Sequence, residues 1–385
     1  MNQYILINRI QVQNANAIAG FTWGFPAITH FLGFNHNLSR KLNQKDEFKD
    51  ISLGGCVVIS HNTQVHTYGQ YDKQFTQSRN PPYLESLDTY EKKSTTPSVI
   101  EEGKMNMTVS LLIKYTGNIG NREDELLEWF KTSCYLQRLA GGTILDIKNI
   151  QLFGLDKKNI YQIKRLLLPG FVLMDRANYL EEHYLKQQTK DKESEVFDAW
   201  LDFIALKQKA RPKSDLINKH FINLGKNDSS NEITEIWNKH LEKAYEQGKI
   251  SQELIKHFEN EKFDKRLLKQ WQSYCNPDEK TDANWEYLKK PKEGYLVPIM
   301  TGYKAISEVY SNNEVEDTRD NETDVCFVES VHSVGEWLSA HKMTVETLEA
   351  SVWNYSYEEN WYLCKQDIKA QKHQEEKSES SDDSF

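Results

Sequence analysis

Four strand-like segments alternate with two amphipathic segments over residues 4–152, and this order limits the possible folds more than any other feature of the sequence. Apolar and β-branched residues run together or alternate at residues 4–13, 54–68, 104–115 and 143–152, which predicts strands. A first helix is predicted from Phe25 to Leu42, because apolar residues recur there at spacings of three and four. A second is predicted over residues 121–139, with acidic residues in its first turn and basic ones later.

The order strand–helix–strand–strand–helix–strand predicts an α+β fold with a ferredoxin-like, RRM-type core in residues 1–176. A polar excursion at residues 69–98 separates the second strand from the third and is too long for a hairpin turn. Residues 177–292 have balanced charges and apolar residues at helical spacing, so we predict a charged helical insertion. Residues 293–369 return to strand-like pieces that complete the fold, and the acidic residues 370–385 are predicted to be disordered.

The net charge of −9 is unevenly distributed along the chain. Residues 1–180 hold 20 Lys and Arg against 16 Asp and Glu, whereas residues 293–385 hold 7 against 20. The residues between them carry 21 of each sign. Because local potential matters more to a polyanion than total charge does, we expect nucleic-acid contacts to concentrate in the N-terminal half.

Composition and motifs argue against several classes of protein. No run of about 18 apolar residues exists to span a membrane, and no basic segment precedes an apolar one at the N-terminus. The five cysteines lack C-x-x-C spacing, so we expect reduced thiols in the cytoplasm rather than disulfides or a zinc site. Signatures of serine hydrolases, zinc proteases and nucleotide-binding loops are missing, and the eleven histidines show no ligand spacing. We therefore expect no cofactor, no metal and no membrane partner.

Polar and aromatic residues follow the first predicted strand and continue onto the first helix. Asn14 and Asn16 precede Trp23, and amides beside a stacking ring suit unpaired bases. On composition alone, a plain strand-to-helix turn with a buried tryptophan is the simpler interpretation of the same residues. His36 and Arg40 lie on the polar face of the predicted helix.

Arginine and glycine mark three further candidate segments. Arg79 and Asn80 lie in the polar excursion, where an arginine can reach a phosphate. Arg138 precedes a glycine pair, which lets a backbone approach a ligand or simply ends the helix. Arg319 lies among acidic residues, where an ion pair is the simpler interpretation.

Seven segments, taken in order, resemble one known family. They are QNANAIAGFTWGFPAITHFLGFNHNLSRKL at residues 13–42, SRNP at 78–81, IEEGKMNMTVSLLI at 100–113, QRLAGGTIL at 137–145, RLLLPGFVLMDR at 165–176, GYLVPIMTGY at 294–303 and FVESVHSVGEWLSAHKM at 327–343. The chain is similar to the second subunit of the type I-F CRISPR (Csy) surveillance complex, the 5′-handle-binding member of the RAMP superfamily. The charged stretch at 205–285 and the acidic tail depart from the resemblance.

The resemblance implies a RAMP core with an inserted thumb, here residues 69–98, and a glycine-rich loop, here residues 140–143. It implies a subunit without nuclease activity that grips the 5′ handle of the CRISPR RNA (crRNA) together with the large subunit. It places that subunit against the first backbone subunit of the filament, and in contact with target DNA only through the assembled complex. The candidate handle contacts are Asn14, Asn16, Trp23, His36, Arg40, Arg79, Asn80, Arg138, Gly141, Gly142 and Arg319.

Two other functions stay open at this level. Some RAMP relatives cut the CRISPR repeat, and such an endoribonuclease needs a general base and a general acid near a 2′-hydroxyl. His30, His36, His61 and Tyr68 have the right chemistry, but their spacing specifies no pair. The other possibility is an adaptor between proteins that makes no RNA contact.

Overall fold

The computed structural model describes residues 2–70, 73–79, 99–211, 213, 215, 272–274, 276–316, 318, 320 and 322–367. These residues form a mixed α+β structure built on a large antiparallel sheet, so the predicted α+β class is confirmed. No helix in this described part is both long and apolar enough to cross a membrane.

The described residues form the following strands and helices. The strands are β1 Gln3–Asn16, β2 Ile18–Ala19, β3 Thr22–Trp23, β4 Ser52–Val65, β5 Thr67–Tyr68, β6 Gln74–Arg79, β7 Val99–Glu102, β8 Lys104–Thr116, β9 Arg138–Leu139, β10 Gly142–Gly154, β11 Phe171–Asp175, β12 Gln208–Arg211, β13 Asn284–Tyr287, β14 Leu296–Ala305, β15 Val328–Ser339, β16 Asn354–Glu358 and β17 Trp361–Lys365. The helices are α1 Ile28–Leu42, α2 Glu123–Tyr135, α3 Asn159–Leu167, α4 Ala177–Lys190, α5 Val196–Ile204 and α6 Val345–Ala350.

Ten strands form one sheet, in the order β16-β17-β14-β15-β11-β4-β8-β1-β10-β9. Within it, β1 is antiparallel to β8 on one side and to β10 on the other. β4 pairs with the far side of β8. The four long N-terminal strands therefore stand in the order second, third, first, fourth; α1 lies between the first and second in the chain and α2 between the third and fourth.

One face of these four strands is covered by α1 and α2. Ile10 and Val12 of β1 are buried there against Phe31 of α1 and Phe130 of α2. Burial of an aliphatic or aromatic side chain of this size stabilises the fold by about 1.5–3 kcal/mol. The same core includes Trp353, from the segment before β16.

The opposite face of the four strands is covered over only half its length. Near the start of β1, Tyr4 and Leu6 are buried against Ile163 of α3. Toward the end of β1 the polar side chains of Gln11 and Gln13 are exposed. Cover by α3, which ends at Leu167, therefore divides this face into an apolar half and an open polar half.

β11 joins the two halves of the sheet, since it pairs with β15 on one side and with β4 on the other. Its last residue, Asp175, is buried, and its Oδ1 accepts a hydrogen bond from the Ala177 N–H at 2.9 Å. The next residue, Arg176, donates from Nε to Glu336 Oε2 of β15 at 2.7 Å. This ion pair is nearly buried and fixes the end of β11 against β15.

The ends of several predicted elements differ from those in the structure. α1 begins at Ile28 rather than Phe25, and α2 spans Glu123–Tyr135 rather than residues 121–139. The second helix is shorter because Arg138 and Leu139 already pair with β10. α3 is absent from the predicted elements.

The chain forms two compact units, Met1–Ile204 with Lys292–Phe385 and Ala205–Pro291. Helices α4 and α5 belong to the first unit, although the predicted insertion begins at residue 177. In the second unit β12 pairs with β13, and Arg211 Nε donates to Glu286 Oε2 at 3.2 Å. Most of the predicted helical insertion and the whole acidic tail lie outside the described residues, and the predicted domain borders stay predictions.

We expect Asp175→Asn to remove a pH dependence of folding. Burial raises the pKa of Asp175 from 3.8 to about 6, so the folded state holds this proton more tightly than the unfolded chain does. The ionised carboxylate therefore disfavours folding above about pH 6, by up to about 3 kcal/mol, and this cost disappears as the pH falls toward about 4. Denaturant titrations should show the free energy of unfolding of the variant rising relative to that of the parent with increasing pH. A difference independent of pH would contradict this.

Glu336→Gln is expected to lower the free energy of unfolding by about 3–5 kcal/mol, because it removes the carboxylate charge from a nearly buried ion pair. The matched control is Glu358→Gln, which breaks the exposed Lys365–Glu358 pair at 3.2 Å. Glu358→Gln should lower the free energy of unfolding by less than about 1 kcal/mol. Equal, small losses in denaturant unfolding of the two variants would show that the buried pair has no special role.

Candidate nucleic-acid interface

The four long N-terminal strands meet at one end of the sheet, which we call the loop end: residues 13–16, 62–65, 104–106 and 142–143. The chain leaves β1 here at Asn16, whose Nδ2 donates to Ile18 O at 2.9 Å while its Oδ1 accepts from Ile18 N at 3.0 Å. The Ala17 N–H donates to Gly103 O at 2.8 Å. Asn16 therefore shapes the turn after β1 and holds it beside the start of β8.

Trp23 is positioned by the short β2–β3 hairpin, in which it pairs with Ile18. The tip of the hairpin is anchored by Phe21, whose ring lies 4.1 Å from that of His332, centroid to centroid. Trp23 itself is 47% exposed and meets Phe75 of β6 edge-to-face at 4.4 Å. The tryptophan is thus not buried in a plain turn and offers a ring surface at the base of the polar excursion.

The predicted glycine-rich loop is the two-residue turn between β9 and β10. Ala140 and Gly141 have φ values of +50° and +74°, which is typical of a tight hairpin turn. Asn16 N donates to Ala140 O at 2.7 Å and ties this turn to the end of β1. Space above Gly141 is open, whereas a Cβ on buried Gly142 would lie 2.6 Å from Gln13 O. Gly141 exposes backbone to a ligand, and Gly142 lets β10 approach β1.

Arg138 is exposed at the start of β9, next to this turn. Asn37 Nδ2 of α1 donates to Gln137 Oε1 at 2.6 Å, which brings the exposed side of α1 beside the same strand. Arg40 follows Asn37 by about one helical turn. His36 lies on another flank of α1, with its ring 6.1 Å from that of Tyr355.

The structure brings together six predicted site residues at or beside the loop end: Asn14, Asn16, Trp23, Arg138, Gly141 and Gly142. The Asn14 N–H donates to Asn106 Oδ1 at 3.2 Å, which attaches it to β8. His36 and Arg40 lie apart from these residues, on α1. For Arg79 the structure gives the backbone pairing with Val99, while Asn80 and Arg319 lie outside the described residues.

An amide-rich groove of about 180 Å³ lies on the open polar half of the sheet, next to the loop end. Its polar side chains come from the ends of three neighbouring strands: Gln11, Gln13, Asn62, Gln64, Asn106 and Thr108. None of the candidates above is among them. The signal was present in the sequence, because these residues stand two apart within each predicted strand and so share a face.

An aromatic cleft of about 520 Å³ adjoins this groove, and Asn62 lines both. The cleft lies beside the end of β4, which runs on past the first residue of β11; the two strands pair only Phe171 with Ser60 and Val172 with Ile59. Trp23, Phe171 and Tyr295 contribute exposed rings to its walls, and Phe25 meets Trp337 edge-to-face at 4.8 Å within it.

His61, which lines the cleft, is held by its surroundings. His61 Nδ1 lies 2.7 Å from Pro169 O, to which it donates, and Nε2 lies 2.7 Å from Ser110 Oγ. Burial lowers the pKa of His61, and it also lowers the pKa of His30, so both rings are favoured in the neutral form. Among the described residues no group of three or more His, Cys, Asp and Glu side chains is arranged to hold a metal ion.

Comparison with known families and proteins agrees with the motifs. The model of the family "CRISPR-associated protein (Cas_Csy2)" matches residues 5–248 and 248–364. The chain is 29% identical over 373 residues to the CRISPR-associated protein Csy2 of Pseudomonas aeruginosa (strain UCBPP-PA14), an alignment that covers 92% of this chain and 91% of that protein. The resemblance found in the seven sequence segments is thereby confirmed. The chain belongs to the Csy2 family of CRISPR-associated proteins.

Proposed function

We propose that this chain is a non-catalytic, RNA-binding subunit of a type I-F CRISPR interference complex, and that it grips the 5′ handle of the crRNA with its loop end. The observation that carries the proposal is the hydrogen bond from Asn16 N to Ala140 O. It holds the amide-rich turn after β1 against the exposed turn at Gly141, with Arg138 beside it. These groups come from distant parts of the sequence, yet together they offer amides, exposed backbone and a cation to a nucleic acid.

The chemistry of this cluster suits a single-stranded RNA. An exposed arginine beside an open backbone turn favours phosphate, and the ring of Trp23 favours a stacked base. Because the positive balance of the chain lies in residues 1–180, these contacts also fall in the half whose charge favours a polyanion.

The proposed core is of the ferredoxin-like, RAMP type. The strand order second, third, first, fourth, with helices in both crossovers, supports this assignment. The pairing of β6 with β7 supports a thumb-like hairpin that grows out of the loop end. A thumb at this place would extend the surface on which the RNA lies.

The partners belong to the same proposal. The large subunit would hold the handle from the other side, and the first backbone subunit of the filament would be capped by this chain. The assembled complex would then recognise foreign double-stranded DNA through the crRNA. We place its action in the cytoplasm, where guide and target meet.

Absence of catalysis is also part of the proposal. A general base needs a ring nitrogen that can reach the 2′-hydroxyl of a substrate. Both ring nitrogens of His61 lie within hydrogen-bond distance of protein atoms, and His30 is largely buried. His36 is exposed, but the ring beside it is Tyr355, on a surface apart from the loop end.

Arg138→Ala is expected to weaken binding of handle RNA by about 1–3 kcal/mol, since a charge-assisted contact is lost. The salt dependence should also fall by about one phosphate contact. Filter-binding titrations of the full-length chain, paired with the large subunit, measure both. Arg122→Ala is the matched control, because Arg122 is exposed just before the opposite end of α2. Unchanged affinity for Arg138→Ala would remove it from the site, and an equal loss for Arg122→Ala would show an unspecific charge effect.

We expect the purified protein to leave labelled CRISPR repeat RNA intact in the absence of metal. The reason is that both ring nitrogens of His61, which lines the aromatic cleft, already contact protein atoms. Denaturing gels read the result directly. Cleavage that His36→Ala abolishes would overturn the proposal in favour of an endoribonuclease, and failure of the pair with the large subunit to retain crRNA would favour a protein adaptor.

A further inference from the structure

We propose that the aromatic cleft holds one unstacked base of the bound RNA, and that the amide-rich groove contacts the edges of the neighbouring bases. This inference rests on the proposed function and deepens it, since it separates the surface that takes bases from the surface that takes phosphates. The two spaces share Asn62 as a lining residue, at the end of β4.

The shape of the cleft follows from the strand pairing. β4 continues to Val65, but its pairing with β11 stops at Ser60. Residues 61–65 therefore have no strand partner on that side within the described part of the chain, and the sheet opens into a space of about 520 Å³. A space of this size is large enough for a single planar ring system with room for its sugar.

The walls of the cleft provide stacking surfaces. Tyr295 is 75% exposed, Trp23 47% and Phe171 46%, so each ring has a face that the protein itself leaves uncovered. They come from three separate parts of the chain, before α1, at the start of β11 and just before β14. Stacking of a base on such rings is favourable for every base, because each base has a π-face.

The charges around both spaces favour bases over phosphates. No Asp, Glu, Lys or Arg side chain lines the cleft or the groove in the described part of the chain. The polar groups of the groove are amides and one hydroxyl, which both donate and accept, as the edges of unpaired bases do. Phosphates would stay outside, nearer to Arg138.

The same amides argue against an apolar peptide as the occupant. A peptide side chain filling the cleft would cover Asn62 and its neighbours without matching them, and a covered polar group without a partner costs about 1–3 kcal/mol. An RNA strand can place a ring in the cleft and base edges in the groove at the same time. A single RNA strand can therefore fill the aromatic cleft and form hydrogen bonds in the amide-rich groove.

The test uses single-stranded RNA of the 5′-handle sequence, with 2-aminopurine placed at one position at a time. It is titrated into the full-length chain paired with the large subunit. One position should show strong quenching from stacking, and Tyr295→Ala should relieve it and weaken binding roughly tenfold. Tyr161→Ala is the matched control, because Tyr161 is 71% exposed on α3 and lines neither space. It should leave quenching and affinity unchanged.

An abasic nucleotide at the quenched position completes a double-mutant cycle. The parent should bind the abasic RNA roughly tenfold more weakly, and Tyr295→Ala should add no further loss on that RNA. Equal losses of Tyr295→Ala on intact and abasic RNA would overturn the inference, as would parent-like binding by both Tyr295→Ala and Phe171→Ala. If Tyr295→Ala releases the large subunit but keeps its RNA affinity, the cleft binds protein rather than a base. The inference about the cleft then fails, while the proposed function stands. If the parent protein binds no handle RNA at all, both the inference about the cleft and the proposed function fail.

Discussion

β1 is hydrogen-bonded along most of its length to β8 on one side and to β10 on the other, and the functional surfaces depend on this double pairing. A central strand of this kind satisfies its backbone polar groups on both sides, so its register is strongly fixed. The register in turn places Gln11, Gln13 and Asn16 opposite defined residues of the neighbouring strands. The close approach at Gly142, where a side chain would meet the backbone of Gln13, locks the two strands together at the loop end.

The open polar half of the sheet is a consequence of incomplete cover. α3 buries Tyr4 and Leu6, and beyond its reach the same face carries amides. Such a divided face is stable because its apolar half packs against α3 and its polar half faces solvent. The polar half is then free for a ligand without loss of core, and its lining side chains carry no charge.

Sequence patterns predict the parts of this architecture that depend on local order. Periodicity was enough for the four strands and for α1, because a buried face leaves a regular trace of apolar residues. The loop-end candidates followed from residue chemistry, and the hydrogen bond from Asn16 to Ala140 joins two of the segments that carried them. The aromatic cleft was missed, because Trp23, Phe171 and Tyr295 meet only where β4 runs on past the start of β11. No local pattern encodes a gap between strands whose residues lie more than 100 positions apart in the chain.

The central claim is that the RNA handle lies on the loop end and not elsewhere on the chain. Photo-crosslinking of the assembled complex, with 4-thiouridine placed in the crRNA handle and the linked peptides identified by mass spectrometry, measures this directly. Crosslinks should fall on peptides that contain Asn14 to Trp23 and the turn at Gly141. Crosslinks confined to α3 or to residues 205–291, with none at the loop end, would contradict the claim.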